Sequence, residues 1–200
     1  MVALGGRFVF AQVISDVARF LGLEEDKGPL LSPAGLATRY ERVLETAIRL
    51  VRQMPDARLS EVLPDRPRSY RVLIHHIFQI GAAFLDAEEE GLPLTYDALT
   101  APPPRELDRS DTLARFGERV RARFLSWRQS AAEEDFHAPV AAYFGRASRH
   151  ELFERTVWHT AQHVRQLASL LERAGIAPDR PLAGEDFAGL PLPARIWDDG

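Results

Sequence analysis

The sequence contains no cysteine among its 200 residues. This absence excludes disulfide bonds, thiolate metal ligands and a cysteine nucleophile, so thiol chemistry would need an external thiol. Long hydrophobic runs are also missing, since the longest apolar stretches fall far short of the ~20 residues of a membrane-spanning helix. The segment from Met1 to Phe20 has no basic start and no long apolar core, which argues against a signal peptide. We therefore expect a cytoplasmic protein without a membrane partner.

The sequence also lacks a large excess of either charge. It has 25 basic and 29 acidic residues, a net charge of −4. Basic residues alternate with acids at helical spacing, as in Arg115, Glu118 and Arg119, and such runs usually form a solvated helix face. Without a basic stripe, no nucleic-acid partner is expected. The apolar fraction of 46% suffices for the core of one domain.

Capping residues and apolar repeats with helical spacing predict four long helices. They are expected to begin after Ser32, Ser69, Ser110 and Ser148, and the signals that end them include Pro55, Gly91 and Gly175. Four such helices pack most naturally as a bundle, so we predict an all-α four-helix-bundle fold. The connection 91–109 is long enough to run the length of a helix, which favours parallel second and third helices.

The two ends of the chain differ in pattern from the bundle. Residues 2–9 are typical of a small β-hairpin around Gly5 and Gly6, and a short helix is predicted from about Ala11 to Leu21. We expect a hairpin-helix appendage over residues 1–31, the bundle over residues 32–178 and an irregular tail over residues 179–200. In the link of residues 131–147, the stretch 138–144 favours an extended conformation.

Two of the six histidines stand four residues apart in the fourth predicted helix. His159 and His163 therefore face one point in space, which a metal ion can occupy. Both lie at the margin of the apolar face of that helix, where a buried imidazole needs a partner for its ring nitrogens. The alternative interpretation is a pair of core histidines hydrogen-bonded to other side chains. Arg155, Thr156 and Gln166 flank the pair and are candidates for supporting the ligands.

The second predicted helix offers a third ligand in His75 or His76. On a helical wheel, His76 shares its side with Val72 and Ile80, whereas His75 shares its side with Arg71. We predict His76 as the inward ligand and His75 as a solvated residue. The predicted metal ligands are therefore His76, His159 and His163.

These residues resemble the pattern of the DinB-like metal-binding four-helix-bundle proteins. The resemblance rests on His76-Ile77 in the second helix and on the fourth-helix pattern of His159, His163 and Gln166, and it covers roughly residues 33–178. It implies an up-down-down-up bundle, a three-histidine metal site with open coordination positions, and homodimers. The family often carries an Arg-Gly pair between the last His and the Gln, where this chain has Val164-Arg165.

Residues 1–22 show a short resemblance to the last hairpin and helix of a glutaredoxin-like domain. The cysteine segment that performs redox chemistry in such a domain is absent, so no oxidoreductase activity carries over.

Three neutral imidazoles leave open positions on a metal ion, as in catalytic sites. We expect one divalent ion (zinc, nickel, iron or manganese), a small-molecule substrate and a metal-dependent enzyme. Because some relatives in the resembled family use a low-molecular-weight thiol, a thiol-dependent transferase or isomerase is one interpretation. A metal-dependent hydrolase is a second, and a non-catalytic, dimeric metal-binding protein of the stress response is a third.

Overall fold

The computed structural model describes residues 2–4, 7–9, 29–64 and 66–197. Its helices are α1 (Pro33–Gln53), α2 (Tyr70–Glu90), α3 (Tyr96–Leu99), α4 (Ser110–Ser130), α5 (Arg149–Arg173) and α6 (Gly184–Phe187). Its strands form two antiparallel pairs, β1 (Val2–Leu4) with β2 (Arg7–Val9) and β3 (Pro139–Ala142) with β4 (Gly145–Ser148). The prediction of a mostly helical chain is confirmed. The helix predicted from Ala11 to Leu21 lies outside the described residues.

Local hydrogen bonds explain where the long helices begin. The Ser32 hydroxyl accepts from the N–H of Gly35 at the start of α1, and Ser148 caps α5 in the same way. Helix α4 differs, because Ser110 is its first residue and donates its N–H to Asp56 Oδ1 at 2.8 Å. The prediction that Ser110 is the cap is wrong, since its hydroxyl donates to the Met54 carbonyl instead. The side chain of Asp56, which is distant in sequence, therefore takes the place of the predicted local cap.

The four long helices share one core. Helices α1 and α2 each pack against both α4 and α5, and they contact each other much less. Side-chain pairs across these four interfaces are Arg52–Glu118 (α1 and α4), Phe84–Trp127 (α2 and α4), Tyr40–Phe153 (α1 and α5) and His76–His163 (α2 and α5). The largest buried side chains include Tyr40, Phe78, Phe84, Phe124 and Phe153. Within the described ranges, no helix has the length and apolar character needed to cross a membrane.

The link between α4 and α5 folds back toward α2. Strands β3 and β4 make a hairpin, and Leu94 lies alongside it, with its N–H donating to the Ala141 carbonyl. The predicted extended segment contains β3, whereas β4 was not predicted. The Tyr143 N–H in turn donates to the Leu94 carbonyl at 2.8 Å. This anchoring places the hairpin tip, residues 143 and 144, against α5.

Residues 193–197 lie along the later half of α5. Arg165 Nη1 donates to the Pro193 carbonyl at 2.9 Å, and Gln162 Nε2 donates to the Ile196 carbonyl at 2.9 Å. The Trp197 indole N–H donates to the Ser169 hydroxyl at 3.4 Å. These bonds hold the tail over the helix that carries two of the candidate ligands.

Candidate metal centre

Three histidines from two helices meet in the core. His76 lies in the first half of α2, and His159 and His163 lie one turn apart in α5. One ring nitrogen of each lies within 4.8 Å of the others, and in the described part of the chain this is the one such group of three metal-binding side chains. The ring centroids of His76 and His163 are 5.0 Å apart, and those of His159 and His163 are 4.8 Å apart. The structure therefore brings together the three residues predicted from the sequence.

Hydrogen bonds fix which nitrogen of His163 faces the other rings. Gln166 donates its amide N–H to the Ile196 carbonyl at 2.9 Å, so its oxygen points toward His163 Nδ1, which lies 2.7 Å away. An oxygen there requires a donor, so Nδ1 carries the proton and Nε2 carries a lone pair. His163 Nε2 is buried and has no hydrogen-bond partner. A buried acceptor left in this state costs about 1–3 kcal/mol, which a bound cation would offset.

Burial keeps the three imidazoles neutral. Burial, together with a smaller contribution from the adjacent His163 ring, lowers the pKa of His76 to about 3. Burial likewise lowers the pKa of His159 to about 3, with a further contribution from His76. The pKa of His163 lies well below its ordinary value for the same reason, with His159 adding to the effect. Neutral rings are the form that binds a metal ion, so all three are ready to act as ligands near neutral pH.

The donor set fits a divalent ion of the first transition series. Imidazole nitrogen suits zinc, copper, iron and nickel, and three such ligands leave at least one coordination position for water or a small molecule. Two of the three histidines have a support for the second ring nitrogen, of the kind that ligating histidines need. Gln166 serves His163, and a backbone hydrogen bond to Leu99 raises the pKa of His76 against the larger effect of burial. The residues present therefore fit a metal ion.

His75 departs from its prediction. It was expected to be solvated, but only 2% of it is exposed, and its ring stacks on Phe116 with centroids 5.4 Å apart and planes 14° apart. The prediction is wrong because α4 packs over that side of α2, which the pattern of one helix cannot reveal. Burial lowers the pKa of His75 to about 4, and the charge of Arg71 contributes. His75 is a packing residue outside the triad.

Two of the three residues flanking the pair do not hydrogen-bond to the triad in the contacts described. The Thr156 hydroxyl donates to the Leu152 carbonyl at 3.0 Å, and Arg155 Nε donates to the Tyr143 hydroxyl at 2.8 Å. Gln166 does contact a ligand directly, through its hydrogen bond with His163. The sequence did not single out the carbonyls of Leu99 and Ile196, because both reach the site through chain folding and carry no pattern of their own.

Comparisons with known proteins bear on the family and the fold of the chain. A family model described as the DinB superfamily matches residues 31–167. A DinB-like protein from Bacillus cereus has a similar structure, with a TM-score of 0.60, 16% identity and coverage of 76% of this chain and 98% of that one. A DinB-like protein from Bacillus subtilis gives a TM-score of 0.56 and 14% identity over 74% of this chain and 95% of that one. At these identities the likeness shows the fold alone. No curated protein matches the chain.

Proposed function

The chain belongs to the DinB superfamily, and from this premise we propose that it is a metal-dependent enzyme whose single divalent ion binds His76, His159 and His163. The superfamily is metal-binding. The observation that carries the proposal is the buried, unpartnered Nε2 of His163 beside two more neutral imidazoles. A core of hydrogen-bonded histidines, the alternative interpretation, would pair that nitrogen with a donor.

We further propose that the four long helices form an up-down-down-up bundle. The support is the order of the pairs across each interface. Arg52 with Glu118 and Glu41 with Arg128 favour antiparallel α1 and α4, because the later residue of α1 meets the earlier residue of α4. In the pairs Phe78–Phe116 and Phe84–Trp127, the later residue of α2 meets the later residue of α4, which favours parallel helices. His76 with His163 and Glu88 with Arg149 favour antiparallel α2 and α5.

The donor set supports two proposals for the reaction class. A divalent ion held by neutral ligands keeps its full charge and stabilises an anion, such as a thiolate or hydroxide, at its open position. The chain contains no cysteine, so a nucleophilic thiolate would come from a small molecule. We propose a small-thiol-dependent transferase or isomerase, with a metal-dependent hydrolase as the second candidate. In either case the chain orients the three rings, and Gln166 keeps the His163 proton on Nδ1.

Cobalt substitution tests whether the site is reactive. Cobalt(II) bound to three imidazoles should change its visible spectrum when millimolar mercaptoethanol is added, because the thiolate takes an open position. The His75→Ala variant should respond like the wild type, and His76→Ala should not. A spectrum that stays unchanged with cobalt bound would contradict the enzyme proposal and favour a structural metal.

We also propose that the protein is a homodimer. The pair β1 and β2 forms a sheet of two strands, and among the described strands neither pairs with any other. A lone two-stranded hairpin is marginally stable in water, and a second copy of the chain would support it. Light scattering should give a particle of twice 22.5 kDa at micromolar concentration, and a monomer mass would contradict the proposal.

A further inference from the structure

Residues 193–197 of the tail bind one stripe of α5. The helix side chains that contact them are spaced as i, i+3, i+4 and i+7, so they lie along one face, and they are Gln162, Arg165, Gln166 and Ser169. The first three donate to backbone carbonyls of the tail, from Pro193 to Ile196. The tail is therefore held on α5 mainly through its backbone.

Gln166 belongs both to this stripe and to the surroundings of the metal centre. Its amide N–H donates to the Ile196 carbonyl at 2.9 Å, and its Oε1 lies 2.7 Å from His163 Nδ1. Because a carbonyl can only accept, the amide nitrogen of Gln166 must face the tail and the amide oxygen must face His163. The docked tail therefore selects the orientation of Gln166 that holds the His163 proton on Nδ1.

An ion at His163 would act on the same hydrogen bonds from the other end. Ligation through Nε2 leaves Nδ1 as the protonated nitrogen, and this N–H needs an acceptor. Gln166 Oε1 accepts it in the orientation that also directs the amide N–H toward the Ile196 carbonyl. Coupling between two binding events is reciprocal, so each event strengthens the other by the same factor.

We propose that residues 193–197 are a positioning element of the metal centre, and that tail docking and ion binding strengthen each other through Gln166. This inference rests on the proposed function, since it needs an ion at the triad. Ile196 acts through its carbonyl. Trp197 anchors the segment, because its ring packs against the core and its indole N–H donates to Ser169 Oγ at 3.4 Å. Both are positioning residues that act on the ion through Gln166.

A double-mutant cycle on the full chain tests the coupling. Trp197→Ala removes the anchor, so it should weaken zinc binding about two- to tenfold, the worth of one hydrogen bond. In a Gln166→Leu background the same substitution should leave the zinc affinity unchanged, since Leu cannot transmit the effect of the tail to His163. Gln162→Leu, which loses bonds to the tail and keeps Gln166, should weaken binding by no more than the same factor. Competition with a chromophoric chelator gives each Kd.

The cycle separates positioning from a structural role. If Trp197 only stabilised the fold, its replacement would weaken zinc binding equally in both backgrounds, and that result would overturn the proposal. Arg165→Met should behave like Trp197→Ala, because Arg165 donates to the Pro193 carbonyl, and it takes the place of Trp197→Ala if that variant does not fold. Arg173→Met, an exposed arginine in the last turn of α5, is the matched control and should bind zinc like the wild type.

Trypsin cleavage after Arg195 measures the reverse effect, that of the ion on the tail. A protease binds several residues on both sides of the cleaved bond in extended form, so the tail must leave α5 first, and the rate follows the undocked population. Saturating zinc should slow this cleavage in the wild type by about the factor found for Trp197→Ala. Cleavage after Arg105, in the loop before α4, reports any general stabilisation. In zinc-saturated Gln166→Leu, the ratio of the two rates should not change.

The zinc content of each sample distinguishes the two levels of failure. A wild type that binds no zinc would overturn the proposed function and this inference with it. Full zinc binding with an affinity that Trp197→Ala and Arg165→Met both leave unchanged would overturn the role of the tail alone. The results we expect are weaker binding in these two variants, no further loss in the Gln166→Leu background, and slower cleavage after Arg195 with zinc.

Discussion

His163 Nδ1 lies 2.7 Å from Gln166 Oε1, and this contact determines what the other nitrogen of the ring can do. Gln166 is itself held by the Ile196 carbonyl, so a backbone group of the tail sets the tautomer of a buried imidazole in α5. The proton of His163 therefore lies on Nδ1, toward Gln166, and the lone pair lies on Nε2, toward the other two histidines. The same arrangement orients ligating histidines in metalloproteins, where it also raises their basicity.

Replacing Gln166 by Leu should weaken metal binding about 10–100-fold while the fold is kept. The variant loses the acceptor that holds the proton of His163 on Nδ1, so both tautomers and other ring orientations become accessible. Competition with a chromophoric chelator measures the affinity. Gln162→Leu is the matched control, because the described hydrogen bonds of the Gln162 side chain go to the tail and to Arg165 and not to a histidine. Equal affinity in the wild type and Gln166→Leu would contradict the support proposed for His163.

Substitutions of the neighbours His75 and His76 should have different effects, the first on stability and the second on metal binding. His75→Ala should lower the free energy of unfolding by about 1–3 kcal/mol, since a buried ring stacked on Phe116 is lost, and it should keep its metal. His76→Ala should lose the metal. Thermal unfolding and metal analysis on both variants check the two expectations. Metal loss in His75→Ala with an intact fold would show that the ligand set is wrong.

Gly117→Ala should destabilise the protein, although Ala is the better helix former. A Cβ at this position of α4 would collide with the ring of Phe78 in α2, and such overpacking costs about 1–3 kcal/mol. Gly35→Ala in α1 is the control, because the nearest atom to its Cβ would be Ser32 Oγ at 3.4 Å. Urea unfolding of both variants measures the difference. A Gly117→Ala variant as stable as the wild type would contradict the close packing of these helices.

Asp56 should make stability depend on pH. The backbone N–H of Ser110 and the nearby Arg109 hold the pKa of this carboxyl below its ordinary value. Because the folded pKa is depressed, the stabilisation is fully present above the unfolded pKa of about 3.9 and is lost as the pH falls through the folded pKa. Asp56→Ala should cost about 1 kcal/mol at pH 7, the usual worth of a helix cap.

Urea unfolding of the wild type and Asp56→Ala from neutral pH down to below the unfolded pKa measures this effect. The gap between the two proteins should narrow as Asp56 becomes protonated. A gap of constant size over the whole range would mean that the charge of Asp56 contributes nothing to the start of α4.

The sequence predicted those features that depend on nearby residues. Ser32, Ser69 and Ser148 were correctly predicted as caps, because a hydroxyl and an N–H three residues later are joined by local geometry. The helical repeat likewise predicts that the side chains of His159 and His163 face the same point. The choice of His76 over His75 also followed from the wheel of one helix, since it places His76 on the side of Val72 and Ile80.

Features that depend on how distant segments pack could not be predicted. His75 is buried because α4 covers it, and no pattern within α2 encodes the position of another helix. Asp56 replaces Ser110 as the group that caps α4, although 54 positions separate them. The Ile196 carbonyl reaches Gln166 through the path of the tail, and a backbone group leaves no mark in the sequence.

Elemental analysis of the purified protein, after incubation with a divalent metal and removal of the excess, tests the metal centre most directly. The wild type should retain about one ion per chain, and His163→Ala should retain almost none, because the substitution removes the buried lone pair at Nε2. Circular dichroism should show that the variant remains helical. A wild type without metal, or a folded His163→Ala variant with a full equivalent, would contradict the assignment of His76, His159 and His163 as the metal ligands.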